Sequence, residues 1–370
     1  MADSFYKSLD IGKDVVNTKT LLHEAIPLTG TIVSGTYADA NIKNYAHGMF
    51  QSVYDYPYLS SSANHIFDIT VGVGPSSQLY SDVSKQKSKK KNIYNQMAQV
   101  LVGYDHTGSV LRFDEDGNIL AGGTKLDNVV FLNFSRLLVK DEIKKGTFKL
   151  ELGMTPAHAY TPATFDERVE ITDYSGSGGY LVNSPVGDYG ILYVTQSTNA
   201  SAGEILDANK RYPVGLLYYQ AGVAVLSSSL FLKVSDGGIL KNAHGSIQMV
   251  GHSADNEILT ALLTGSVVTG SADALRNRIY NLQFNNTVEL NSTVYFCRVN
   301  HNEFNYSTNP TYLTQSKLRV KTQASDQPVS YITTVGLYND RNELYATAKL
   351  SEPLKKSPDT EFTIRVRLDY

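Results

Sequence analysis

The sequence predicts a mainly β protein with a few short helices, an α+β chain of 370 residues folding as two or three β-rich domains of sandwich- or barrel-like type. Three observations carry that expectation. Alternating apolar and polar runs recur along the chain and are punctuated by turn residues. Tyrosine is abundant, 25 against 13 Phe and no Trp, and Tyr suits pleated surfaces and interfaces because its ring packs while its hydroxyl stays wet. The stretch Phe362-Thr363-Ile364-Arg365-Val366-Arg367-Leu368-Asp369-Tyr370 alternates to its last residue, so it is expected to be tied into a sheet.

Residues 1–48 are expected to form an N-terminal arm or extension, with strand-like alternation at 30–37. Residues 49–155 are expected to form a β-rich domain with short helices. Within it, residues 66–74 place Phe67, Ile69, Val71 and Val73 on one face and stop at the loop signal Gly74-Pro75-Ser76-Ser77. Lys85, Lys87, Lys89, Lys90 and Lys91 read as a solvated loop in preference to a nucleic-acid or membrane patch. A short helix over 92–101 follows, with Ile93, Met97 and Val100 on one stripe. Residues 111–120 read as a hairpin with Asp116-Gly117 at its tip. Asp114 and Asp116 have the spacing of calcium ligands, but the later ligands and the closing Glu are missing, so the turn is preferred. Residues 129–134 predict a buried strand. Ser135 is placed to cap a short helix running to Lys145, with Gly146 as its stop, and residues 147–152 alternate as a strand.

Residues 156–285 are expected to form a second β-rich region ending in helices. Gly176-Ser177-Gly178-Gly179 lacks the spacing and the following Lys-Ser/Thr of a phosphate-binding loop and reads as a hairpin tip. Strands are expected from 191 to 219 and over 223–226. Helices are expected at 256–263 and from Ser271 as N-cap, with Leu275, Ile279 and Leu282 aligned. Residues 286–370 form the expected C-terminal strand-rich segment, for which packing back onto the first domain is one arrangement left open. No internal repeat, heptad run or low-complexity segment occurs.

Composition narrows the chemistry. A net charge of −3 and a pI near 6.2 give no global electrostatic case for nucleic acid. The single cysteine, Cys297, excludes an internal disulfide and a cysteine-based zinc site, and reads as a small buried hydrophobe. The N-terminus reads as lacking a signal peptide, and no run of about 18 apolar residues occurs, so a soluble protein made in the cytoplasm, without a membrane span, is expected. Five Asn-x-Ser/Thr sequons, such as those at Asn291 and Asn305, then read as Asn-rich turns.

The eight histidines form no His-x-x-x-His or His-Glu-x-x-His pair, and no Gly-x-Ser-x-Gly elbow presents a serine. His244 and His252, eight apart, read as polar turn residues. Asp166, Glu167, Glu303 and Glu343 sit in turn-like sequence, and no Trp offers a sugar platform. Cys297, Arg298, His301 and Glu303 gather within a few residues, yet read as polar positions along a strand and its turn. No catalytic, cofactor-binding or metal-ligating residue is therefore assigned, and the chain is expected not to be an enzyme.

Several segments resemble one family. They include Phe50-Gln51-Ser52-Val53-Tyr54-Asp55-Tyr56-Pro57-Tyr58-Leu59-Ser60, Ile93-Tyr94-Asn95-Gln96-Met97-Ala98-Gln99-Val100-Leu101 and Arg112-Phe113-Asp114-Glu115-Asp116-Gly117. Others are Asn133-Phe134-Ser135-Arg136-Leu137-Leu138, Lys140-Asp141-Glu142-Ile143-Lys144-Lys145-Gly146, Tyr219-Gln220-Ala221-Gly222-Val223-Ala224-Val225-Leu226 and Glu303-Phe304-Asn305-Tyr306-Ser307. From about residue 50 onward the chain resembles virion structural proteins of contractile-tailed, T-even-like phages (myoviruses) of marine and cyanobacterial hosts. The resemblance implies a non-enzymatic component of the tail, in the baseplate, or else of the neck or collar. It also implies other virion proteins as partners, self-association within a symmetric ring, and location in the virion after synthesis in the host cytoplasm. A tail-fibre adaptor or receptor-binding protein, and then a cell-wall hydrolase, are the alternative readings. The resemblance transfers no site residue and no cofactor.

Overall fold

A computed structural model describes residues 6–24, 39–77, 79–81, 85–118, 122–135, 138, 141–153, 168–198, 211–231, 268–276, 279–307, 309, 313–314, 317–318, 321 and 323–370. The protein is mainly β with a few helices, as the sequence predicts. Its first strands are β1 (Val15–Glu24), β2 (Ile42–Asn44), β3 (Gln51–Tyr54), β4 (His65–Val73), β5 (Asn128–Asn133), β6 (Glu142–Ile143), β7 (Lys149–Gly153), β8 (Arg168–Thr172) and β9 (Leu181–Ser184). There follow β10 (Gly187–Thr198), β11 (Tyr212–Tyr218), β12 (Val223–Ser227), β13 (Ile279–Gln283), β14 (Asn286–Val299), β15 (Leu313–Thr314), β16 (Lys317–Leu318), β17 (Ser330–Tyr338), β18 (Leu344–Lys356) and β19 (Phe362–Asp369). The helices are α1 (Ile11–Asp14), α2 (Lys85–Leu101), α3 (Gly176–Gly179) and α4 (Val268–Arg276). The chain divides into two compact units, Leu22–Val288 and Met1–Leu21 with Glu289–Tyr370.

The larger unit is built on an 11-stranded antiparallel sheet, ordered β13-β7-β8-β10-β11-β12-β5-β4-β3-β2, with β9 paired to β10. Strands β2 to β5 form a meander. The chain then passes to the far end of the sheet and returns through β7, β8, β10, β11 and β12 until β12 lies beside β5, pairing Val225 with Phe131. The ranges 49–155 and 156–285 therefore supply neighbouring strands of one sheet, and β2, from the expected arm, is its edge. Alternation marks a strand and its buried face; it does not say which strand lies alongside.

Strand β4 buries Phe67, Ile69, Val71 and Val73, the face its alternation predicts. Phe134, just past β5, is fully buried and its ring centroid lies 5.9 Å from that of Phe148 and 5.6 Å from that of Phe284. Phe148 precedes β7 and Phe284 follows β13, at the opposite end of the sheet order. Five strand spacings of about 4.8 Å would hold β5 and β7 about 24 Å apart in a flat sheet. The sheet must therefore curl, and the aromatic cluster fills the space it encloses.

Helix α2 packs on β4, where Gly72 makes the approach possible: a Cβ there would lie 2.8 Å from the Phe131 ring and 3.0 Å from Tyr94 Cβ. The lysine run is not a loop ahead of this helix but its first turns, because Lys is a good helix former and nothing between 85 and 91 breaks the helix. Lys90 is fully buried, with Nζ 3.2 Å from Ser271 Oγ on α4. The buried stripe is Ile93, Tyr94, Ala98 and Leu101, with Met97 half-buried, whereas Val100 is exposed.

Three other expectations are corrected. Glu142 and Ile143 are the strand β6, paired with Thr287 and Asn286, so no helix runs to Lys145. Gly176–Gly179 is a helical turn, and Gly176 is buried where a Cβ would overlap Tyr219 Oη. Ser271 lies inside α4, which begins at Val268, and Ile279 and Leu282 belong to β13. Residues 30–37, 256–263, His244 and His252 fall outside the described residues.

In the smaller unit, β14 lies between β1 and β19. Strands β14 and β19 pair in unbroken antiparallel register from Ser292 opposite Asp369 to Val299 opposite Phe362, and the Tyr370 backbone exchanges two hydrogen bonds with Asn291. Alternation splits the two strands cleanly. Tyr295, Cys297, Phe362, Ile364 and Val366 face inward with Val335, Leu337, Ala346 and Ala348 of the β17–β18 hairpin. The hairpin register shifts twice, between Ile332 and Thr334 and between Leu337 and Tyr338.

Candidate assembly surface

The residues that the sequence gathers near Cys297 do not converge. Cys297 is half-buried in the small core, and burial raises its thiol pKa. Arg298, next along the strand, points to the other face and meets Asp14 at 2.9 Å. His301 Nδ1 lies 3.1 Å from Glu361, and Glu303 is held by Lys7 at 2.6 Å, which lowers its pKa against the opposing pull of burial. Glu343 accepts from the Asn339 amide at 2.7 Å. Asp114 is taken up by Lys125, with Asp116 Oδ1 accepting from the Asn118 backbone. Among the described residues no group of three or more His, Cys, Asp or Glu is placed to hold a metal ion. Asp166 and Glu167 lie outside them.

Two polar clusters lie in the larger unit. Ser52 Oγ and His65 Nε2 both bond Asp68 Oδ1, at 2.5 and 2.7 Å. The histidine thus bonds the aspartate and not the serine, so these residues form no Ser–His pair. Asp173 is fully buried and accepts from the backbone N–H groups of Gly146 at 2.6 Å and Phe148 at 3.0 Å, and from Tyr219 Oη at 3.1 Å. Burial outweighs these bonds and pushes its pKa up to about 6. Beside it, Lys145 Nζ bridges Glu142 at 2.9 Å and Asp188 at 3.2 Å under the Tyr219 ring. This cluster pins the β6–β7 turn to the core.

What distinguishes the smaller unit is its surface. Eleven of the eighteen large hydrophobic side chains exposed among the described residues belong to it, although about twice as many of the described residues lie in the larger unit. They include Tyr331, Tyr338, Leu344, Tyr345 and Leu354 on the β17–β18 hairpin, with Tyr345 70% exposed. The apolar cluster beneath this hairpin is small, with Leu337, Ile364 and Val366 each 8–9% exposed. Among the described residues this hairpin pairs with no third strand, so each of its strands keeps one open edge.

On the outer face of the β1-β14-β19 sheet, Val16, Thr18, Val294 and Phe296 floor a shallow cavity of about 170 Å³ flanked by Arg365 and Arg367. Arg367 is answered by Asp369 at 2.6 Å, whereas Arg365 has no ion pair among the described residues. The alternation Ile364-Arg365-Val366-Arg367 carries this face in the sequence, since a period of two sends both arginines the same way. Reading the stretch only as a terminal strand overlooked it. This face combines apolar side chains with positive charge. No family model, no curated protein and no solved structure matches the chain.

Proposed function

We propose that the chain is a non-enzymatic structural component of a contractile phage tail, in the baseplate, and that it acts through protein–protein assembly. The observation that supports assembly is the smaller unit: a thin core carrying exposed tyrosines, leucines and open strand edges. Monomeric proteins normally cover or charge such features, because they recruit other chains. Tyrosine is well suited to the task, giving a large contact area with few rotatable bonds. The virion reading rests on the sequence resemblance, which names other virion proteins as the partners and a symmetric ring as the setting. Cryo-EM of purified particles tests it. Density for this chain in the baseplate is the expected result, density at the neck would move the assignment along the tail, and absence from assembled virions would overturn it.

A further inference from the structure

We propose that the smaller unit binds a second copy of this chain head to tail, the β17–β18 tip of one copy seating on the Arg365 face of the next. The inference rests on the assembly reading and adds a partner and a contact to it. The tip spans residues 338–345. Asn339 organises it, its Oδ1 accepting from the backbone N–H groups of Arg341 and Glu343 and its amide donating to Glu343 Oε2. Tyr338, Leu344 and Tyr345 stand exposed around this turn. Asp340 and Glu343 against Arg341 leave it one net negative charge, and Asp340 has no hydrogen bond or ion pair among the described residues.

The receiving face has the opposite character. Arg298, Arg365 and Arg367 against Asp14 and Asp369 leave one net positive charge, centred on the unanswered Arg365. Between the cations lies the apolar floor of Val16, Val294 and Phe296. The hairpin packs on the inner face of the sheet, so tip and receiving face belong to opposite layers of one unit. Two complementary patches on opposite layers cannot satisfy each other within one molecule. Between copies they give a heterologous contact, which builds a ring if the rotation closes.

A charge-swap experiment on the full chain tests this. Arg365→Glu makes both patches negative, and Asp340→Arg makes both positive, so each variant should repel itself. In a one-to-one mixture, every tip meets a face of opposite sign. By analytical ultracentrifugation the wild type should associate with rising concentration, and salt should weaken that association. Each variant alone should associate at least about tenfold more weakly, and the mixture should recover wild-type association. Both side chains are exposed, and circular dichroism would verify the fold; if either reversal misfolds, R365Q and D340N probe the same contact by partial loss. A wild type that stays monomeric up to about 1 mM, variants that associate normally, or a mixture that fails to recover would each overturn the contact. None of these outcomes bears on whether the chain is found in virions.

Discussion

The two compact units use the same residue types in opposite ways. In Leu22–Val288 several tyrosines are interior parts, although Tyr56, Tyr58, Tyr104 and Tyr174 are exposed: Tyr94 donates to the Leu126 carbonyl at 2.9 Å, Tyr189 to Gly117 at 2.7 Å and Tyr219 to Asp173 at 3.1 Å. In the smaller unit, Tyr331, Tyr338, Tyr345 and Tyr370 stand exposed around a small apolar cluster. Among the described residues, the larger unit gathers its apolar side chains into an extensive core, and the smaller leaves a larger share of them exposed. Composition averaged over the chain conceals this division of labour between fold and contact.

The comparison can be broken at either end. Phe134→Ala removes the ring that joins Phe67, Phe148 and Phe284, and should cost about 3–5 kcal/mol in denaturant unfolding. A cost under about 1 kcal/mol would mean that the curled sheet does not depend on this cluster. Next comes Asp173, whose folded pKa near 6 lies above its ordinary value of 3.8. As pH rises from about 4 to about 6, the unfolded chain gives up this proton before the folded one does. The contribution of Asp173 to stability therefore falls across that window, by about 2 kcal/mol, which is the reverse of the usual carboxylate behaviour. The stability of the wild type relative to Asp173→Asn should decline by that amount between those pH values, and an unchanged difference would refute it.

In the smaller unit the expected effects shrink. Ile364→Ala should cost about 2 kcal/mol, the low end for such a truncation, because the side chain is already 9% exposed in a thin core. Tyr345→Ser should move stability by no more than about 0.5 kcal/mol while weakening self-association. A thermal melt that drops as far for Tyr345→Ser as for Ile364→Ala would show that the surface tyrosines maintain the fold, and the contrast between the units would fail.

The sequence carried what is periodic and local. The faces of β4 and β19 follow from alternation, β5 follows from its continuous apolar run, and the mainly β class follows from the recurrence of such stretches. It did not carry pairing: Glu142-Ile143 becomes a strand only because residues 286–287 lie alongside, about 140 positions away. Lys90 misleads for a similar reason, since a lysine in a basic run gives no sign that Ser271 on α4 will cover it. On the assembly surface, the tyrosine excess and the terminal strand were legible. The lone positive charge of Arg365 was not, because it depends on which arginines find acids in three dimensions.

The two register shifts in the β17–β18 hairpin bear on what happens before any partner arrives. Each bulge sharpens the local twist and breaks the even ladder of backbone groups along the strand. A flat hairpin with so many exposed apolar side chains would template copy after copy along its edges, as fibrils do. Interrupted at two points, its edges offer no long straight run for such growth. An approaching strand would find only short matched stretches along either edge.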